Sequence, residues 1–224
     1  MSSRRCSPVR RRSGWALAVI TAVALIGGCA APGADDLPPS AAPSRVATDV
    51  VPEPGRTIDA APAANADETL AGYRVAVVAA GSAPGSVLML ETARAYIAER
   101  GGEMTEFTAP AAEPGAADAA LMAALEATPD LIIGVGEDVV DAFSFETPQR
   151  LGQQFLLVGA QLAEPTENVT AVIWEGATSR GSAASADQDT DAGAITAPRV
   201  KDALAVGLES VRGGQVGVVL SLRS

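Results

Sequence analysis

Histidine is absent from all 224 residues, and cysteine occurs only twice, at positions 6 and 29. Without histidine the chain lacks the usual general base, the side chain that switches charge near neutral pH and the commonest transition-metal ligand. Lysine is nearly absent too: Lys201 is the only one, and 16 bases face 27 acids for a formal net charge of -11. A chain so short of positive charge has no basic stripe with which to neutralise phosphates, so nucleic acid is excluded as a partner. Aromatic residues make up 4% of the chain, and no Ser-x-x-Lys or Gly-x-Ser-x-Gly pattern occurs. Nucleophilic hydrolysis of the common types is therefore set aside, no cofactor is implied, and the expectation is a protein that is not an enzyme. A hydrolase working through paired carboxylates is the enzymatic reading left open.

What is present begins at the N-terminus. Arg4, Arg5, Arg10, Arg11 and Arg12 stand with no acid among them, and the apolar run Trp15 to Ile26 follows directly. That run falls short of the ~20 apolar residues a spanning helix needs and is followed by small and polar residues, so it reads as an export signal. Ile26-Gly27-Gly28-Cys29-Ala30 resembles the bacterial lipobox, in which the cysteine receives diacylglycerol before cleavage and a fatty acyl chain such as palmitate on the amino group that cleavage frees. The resemblance implies a signal peptide over 1–28 and a mature lipoprotein anchored by Cys29 to the extracytoplasmic face of the cell membrane. An ordinary signal peptide with Cys29 incidental is the alternative. Lipidation would account for a thiol left alone in an oxidising compartment. Residues 1–28 hold five arginines and no acid, so the mature chain has 11 bases, 27 acids and a net charge of -16. Anionic headgroups would repel such a chain, and its membrane contact is expected through lipid alone.

Residues 29–69 are rich in Ala, Pro, Asp and Ser without a period of 2 or 3.6, which predicts a disordered tether. From residue 70 to 224 the pattern changes to alternating strands and helices. Tyr73 to Ala80 reads as a strand covered on both faces, and Gly81 to Ser86 opens a helix with Val87, Leu90, Ala93 and Ile97 on one stripe. Further strands are expected at 103–108, 130–136, 154–159, 169–174 and 216–220, with helices at 116–127, after Glu137-Asp138, and from Pro198 to Gly213. The fold class is α/β: one three-layer domain with a mostly parallel sheet.

Asp130-Leu-Ile-Ile-Gly-Val-Gly136, then Phe155-Leu-Leu-Val-Gly159, then Glu167-Asn-Val-Thr-Ala-Val-Ile-Trp174 resemble the first lobe of the basic membrane lipoprotein family, the substrate-binding proteins of ABC transporters. The resemblance covers roughly residues 73 to 180. It implies a domain like one lobe of a type I periplasmic binding protein, a small polar solute such as a nucleoside, and an ABC permease or another envelope protein as partner. A second lobe is not expected within this chain, and Gly81 to Ser86 holds no aromatic to stack on a base.

An open parallel sheet binds ligands beyond the carboxyl ends of its strands. The candidate ligand-binding residues are accordingly Ser82, Gly134, Gly136, Glu137, Asp138, Gln161, Trp174 and Glu175. The same glycines could serve only tight turns, and Trp174 could be a core or rim residue. Asp187-Gln-Asp-Thr-Asp191 begins like a calcium loop, but Ala192 replaces the turn glycine and Pro198 the bidentate acid, so a solvated acidic loop is expected and no metal site. Two functional classes stand: a solute-binding lobe, and a structural or adaptor envelope lipoprotein with no small ligand.

Overall fold

The structure is a computed structural model that describes residues 53–61, 68–110, 113–183 and 190–223. The export signal, Cys29, most of the expected tether and Asp187 to Asp189 lie outside the described residues. All described residues belong to one compact unit, 49–224.

Seven strands form one sheet: β1 (Arg56–Ala60), β2 (Arg74–Ala80), β3 (Glu103–Ala109), β4 (Leu131–Val135), β5 (Phe155–Val158), β6 (Val169–Ile173) and β7 (Val218–Leu222). Their order is β1-β7-β6-β5-β4-β2-β3, and every pair is parallel. Four helices cover it: α1 (Pro84–Glu99), α2 (Ala116–Glu126), α3 (Val140–Glu146) and α4 (Ala197–Arg212). The expected single α/β domain is what forms.

Because side chains alternate along a strand, each central strand supplies two cores. Val75, Val77, Leu131, Ile133, Leu156, Val158, Val172 and Leu220 point to the layer of α1 and α4, where Met89, Ile97, Val200 and Leu204 meet them. Ala76, Val78, Ile132, Phe155 and Leu157 point to the layer of α2 and α3, where Leu121, Val140 and Phe143 meet them. Strands buried on both faces must be apolar at every position, which is why β4, β5 and most of β2 read as continuous aliphatic runs.

Three expectations need correction. Arg56–Ala60, inside the segment expected to be a disordered tether, is a strand, pairing with β7 from Arg56↔Val218 to Ala60↔Leu222. Its signal is weak because an edge strand is held mainly by main-chain pairing: Ile58 packs against the core while Arg56, Thr57 and Asp59 stay exposed. The buried stripe of α1 is also rotated from the one expected. Ala93 and Ile97 are buried, but with Met89 and Tyr96; Val87 is exposed and Leu90 half-buried. The last strand starts two residues later than expected, since Gly217, at φ +73°, belongs to the turn out of α4.

Between β5 and β6 no helix intervenes, and one buried side chain ties the region together. The amide nitrogen of Asn168 lies 3.0 Å from the carbonyl oxygens of Arg150 and Gln153 and 3.2 Å from that of Thr147, and its Oδ1 accepts the Thr166 hydroxyl at 2.6 Å. It thus supplies the donors for the turn that carries the chain from α3 into β5. Asn168→Ala should cost about 1–3 kcal/mol because three carbonyls lose their side-chain donor, and Asn168→Asp should cost at least as much by turning donor into acceptor. Urea unfolding checks this as a lowered midpoint with an unchanged slope.

Candidate functional site

The chain leaves β2 toward β3 under one helical layer and returns over the other to β4, so the loops after β2 and β4 diverge at a switch point. At that point the backbone of β4 closes tightly on α1. Gly136 has φ +81°, donates its N–H to the Val158 carbonyl at 3.0 Å, and a Cβ on it would stand 2.9 Å from Ser86 Oγ. A single 3-10 turn, Glu137–Val139, follows and leads into α3.

That turn and the start of α3 distribute three acids in two directions. Glu137 faces the connection after β6, where its carboxylate accepts the Thr190 hydroxyl at 2.6 Å. Asp138 faces the other way, into a groove of about 660 Å³ between the first turns of α2 and α3. Asp141 lines the groove and also accepts the Ser182 N–H and hydroxyl, each at 2.9 Å. Glu113, Asp118 and Glu146 complete the acidic lining, with Pro110, Ala142 and the exposed ring of Phe145 as the apolar part. None of the lining residues is basic. Among the described residues, Glu146 is the one of the five acids with an ion pair, to Arg150 at 3.7 Å, and it is the most buried of them.

Helix physics accounts for two of these acids. Asp118 stands in the first turn of α2 and Asp141 in that of α3, where the positive end of the helix dipole favours them. Two helix starts pointing at one groove gather the carboxylates together. Partial burial, and then the neighbouring Glu137 charge, raise the Asp138 carboxyl above its ordinary value.

The remaining sequence candidates divide. Ser82 is exposed in the loop between β2 and α1. Gly134 lies in mid-strand, where a Cβ would stand 2.7 Å from Leu157 Cδ2 and 2.8 Å from Phe143 Cζ; this glycine serves packing. Gln161 is buried, its main-chain N–H on the Ser179 carbonyl and its side-chain amide on that of Thr178. Trp174 is 2% exposed, donates Nε1–H to the Ala194 carbonyl at 3.0 Å and packs beside Gly159 and Met89, so it is a core residue and offers no stacking face. Glu175 is exposed beside a separate shallow depression with Gly176, Asp191 and Arg199. The structure therefore unites Gly136, Glu137 and Asp138, but puts Gln161 and Trp174 in the interior. Asp118, Asp141 and Phe145 were missed; the i, i+3, i+7 spacing of Asp138, Asp141 and Phe145 was the available signal. Among the described residues no group of three or more acids or cysteines is placed to hold a metal ion, and no helix is long and apolar enough to cross a membrane.

No family model and no curated protein matches the sequence. Among solved structures the chain is similar to an ABC transporter solute-binding protein from Aeropyrum pernix K1, at 20% identity and a TM-score of 0.39 over 46% of this chain and 28% of that one. It is also similar to a periplasmic ribose ABC transporter protein from Conexibacter woesei DSM 14684, at 16% identity and a TM-score of 0.35 over 70% of this chain and 56% of that one. A dehydrogenase/reductase from Sinorhizobium meliloti 1021 matches at 13% identity and a TM-score of 0.31, over 70% of this chain and 96% of that one. The chain thus spans less than two thirds of either transporter protein's length. The fold stands on the sheet itself, seven parallel strands between two helical layers.

The raised Asp138 carboxyl makes a pH prediction. An acid whose folded pKa lies above its unfolded one holds a proton more readily in the folded state, so it lowers stability as pH rises from 3.8 through the raised folded value. Asp138→Asn should remove that loss and be more stable than the parent above the window, with no gain below it. Thermal unfolding of both proteins between pH 3 and pH 8, about a unit apart, reads the difference.

Proposed function

We propose that this chain is an envelope lipoprotein, anchored through Cys29, whose single α/β lobe binds a small polar solute carrying positive charge. The observation that carries this reading is the groove between α2 and α3, with its five carboxylates, one neighbouring arginine and an exposed phenyl ring. A primary amine or guanidinium finds acceptors on opposite walls there, and the Phe145 face adds a cation–π partner worth about 0.5–1 kcal/mol at an exposed site. The resemblance to the basic membrane lipoprotein family supports delivery to an ABC permease. A nucleoside is a poorer fit, since it brings no positive charge to the groove's carboxylates and Phe145 is the one ring in the lining. The reading is of binding rather than catalysis: the groove's lining holds no histidine or thiol, and carboxylates are its only proton-transfer groups.

One observation favours the adaptor alternative. Phe145 is 67% exposed at the lip of the groove, and an exposed aromatic beside acids also suits a basic segment of another envelope protein.

Calorimetric titration at low salt with spermidine, arginine and adenosine separates these readings. Spermidine or arginine should bind, weaken as salt is raised, and lose about tenfold in affinity on Asp118→Asn/Asp138→Asn substitution, while adenosine should not bind. Because a nearby cation pulls the raised Asp138 pKa down, binding just below that pKa should release protons, seen as a buffer-dependent heat. No binding of either cation would overturn the small-solute reading; binding of a basic peptide alone would replace it with the adaptor. For the anchor, Cys29→Ser should move the protein from the membrane fraction to the soluble one, and continued partition with membrane would contradict lipidation.

A further inference from the structure

Among the described residues the sheet ends on two open edges, β1 and β3, and the two differ. β1 is five residues long and carries Arg56 and Asp59. β3 runs for seven residues in unbroken register with β2, from Arg74↔Glu103 to Ala80↔Ala109, with no proline, lysine or bulge along it. Proline, lysine and bulges are the devices by which proteins blunt an edge against strand addition. The two ends of the ladder show which main-chain groups are unused. Glu103 donates its N–H to the Tyr73 carbonyl at 3.0 Å, and the Ala109 carbonyl accepts the Gly81 N–H at 3.0 Å. Successive residues of a parallel strand turn both main-chain groups to alternate sides. Glu103, Thr105, Phe107 and Ala109 therefore face β2, while Met104, Glu106 and Thr108 point theirs away from the sheet. Side chains flank this edge on both faces. On the α1 face, Arg94 grips both carboxylate oxygens of Glu106, at 2.5 and 2.7 Å, and Val87, on the same stripe of α1 toward its start, is 42% exposed. On the α2 face, Phe107 is half-buried against the core.

We propose that β3 pairs antiparallel with β3 of a second copy of this chain, about a two-fold axis at Phe107, joining two sheets into one. Complementarity of the side chains along β3 selects both the partner and the register. A two-fold axis at Glu106 sets that carboxylate against its own copy, and one at Thr105 sets the Glu103 carboxylate against Phe107. Centred on Phe107, the ring lies opposite its own copy in a non-hydrogen-bonded pair, where side chains come closest. Glu106 then exchanges main-chain bonds with Thr108 of the second copy, and its carboxylate stands beside that hydroxyl. Aromatic and hydrogen-bonding pairs directly across two strands are favourable, whereas like charges there are not. The same register sets Met104 of the second copy opposite Pro110, which lines the acidic groove, so the second copy borders that groove.

Sedimentation equilibrium of the whole protein tests the pairing, and a disulfide tests its register. The parent should pass from monomer to dimer between roughly 10 µM and 500 µM. Thr108→Pro removes an outward N–H that the ladder to β2 does not use, so this variant should stay monomeric over the same range with an unchanged urea midpoint. In a non-hydrogen-bonded pair the Cα atoms stand about 4.5 Å apart, within disulfide reach. Phe107→Cys should therefore form a disulfide between two copies under mild oxidation, mapped by peptide mass spectrometry, and Thr105→Cys should form about tenfold less. A parent that is monomeric at the highest concentration, or a dimer that Thr108→Pro leaves intact, overturns the pairing. A crosslink from Thr105→Cys that exceeds the one from Phe107→Cys overturns it as well.

Discussion

Everything in this lobe depends on a parallel sheet that is closed to water on both faces. Its central strands present apolar side chains alternately to the α1/α4 layer and the α2/α3 layer, and no position along β4 or β5 is left for a polar group. Each buried aliphatic contributes roughly 1.5–3 kcal/mol relative to exposure, and this, summed over two cores, offsets the entropy of ordering the loops. Polar function is thereby confined to the edges and to the strand ends. At the strand ends the competition is between loops of the chain and anything the chain might bind.

The two outcomes of that competition lie on opposite sides of one short stretch, Glu137 to Asp141. Toward the β6–α4 connection, Glu137 and Asp141 are spent on the chain's own hydroxyls. Toward α2, Asp138 and Asp141 look into an open groove together with Asp118 and Glu113. The chain's negative charge is thus not spread evenly over a solvated surface. Part of it is concentrated where two helix starts converge, which favours the acids locally and creates a field attractive to cations.

Much of this was legible in the residues. Continuous aliphatic runs such as Leu131 to Val135 and Phe155 to Val158 announced strands of a parallel sheet, and Pro198 with Gly213 bracketed α4. What the sequence concealed was tertiary. β1 carries two apolar residues, Ile58 and Ala60, and exists because β7 offers it an edge. The burial of Trp174 and Gln161 depends on Thr178, Ser179 and Ala194, which fold back against them, contacts that no local pattern encodes. The switch-point rule pointed to the stretch Gly136 to Asp138, of which Asp138 lines the groove, but it treats strand ends as vacant, and Gln161 and Trp174 there are buried. The groove was invisible for a related reason: Asp118 and Asp141 are far apart in the chain, and each alone reads as an ordinary first-turn acid.

The central claim is that the open binding surface of this lobe is the acidic groove between α2 and α3, with Gln161 and Trp174 at the strand ends buried by the chain itself. Amide and indole resonances of the isotope-labelled protein, followed as spermidine is added, test it directly. The account predicts shifts gathered at Asp118, Asp138, Asp141 and Phe145, with the Trp174 indole N–H and the Gln161 amide unmoved. Shifts centred on Trp174 and Gln161, with the groove silent, would contradict it.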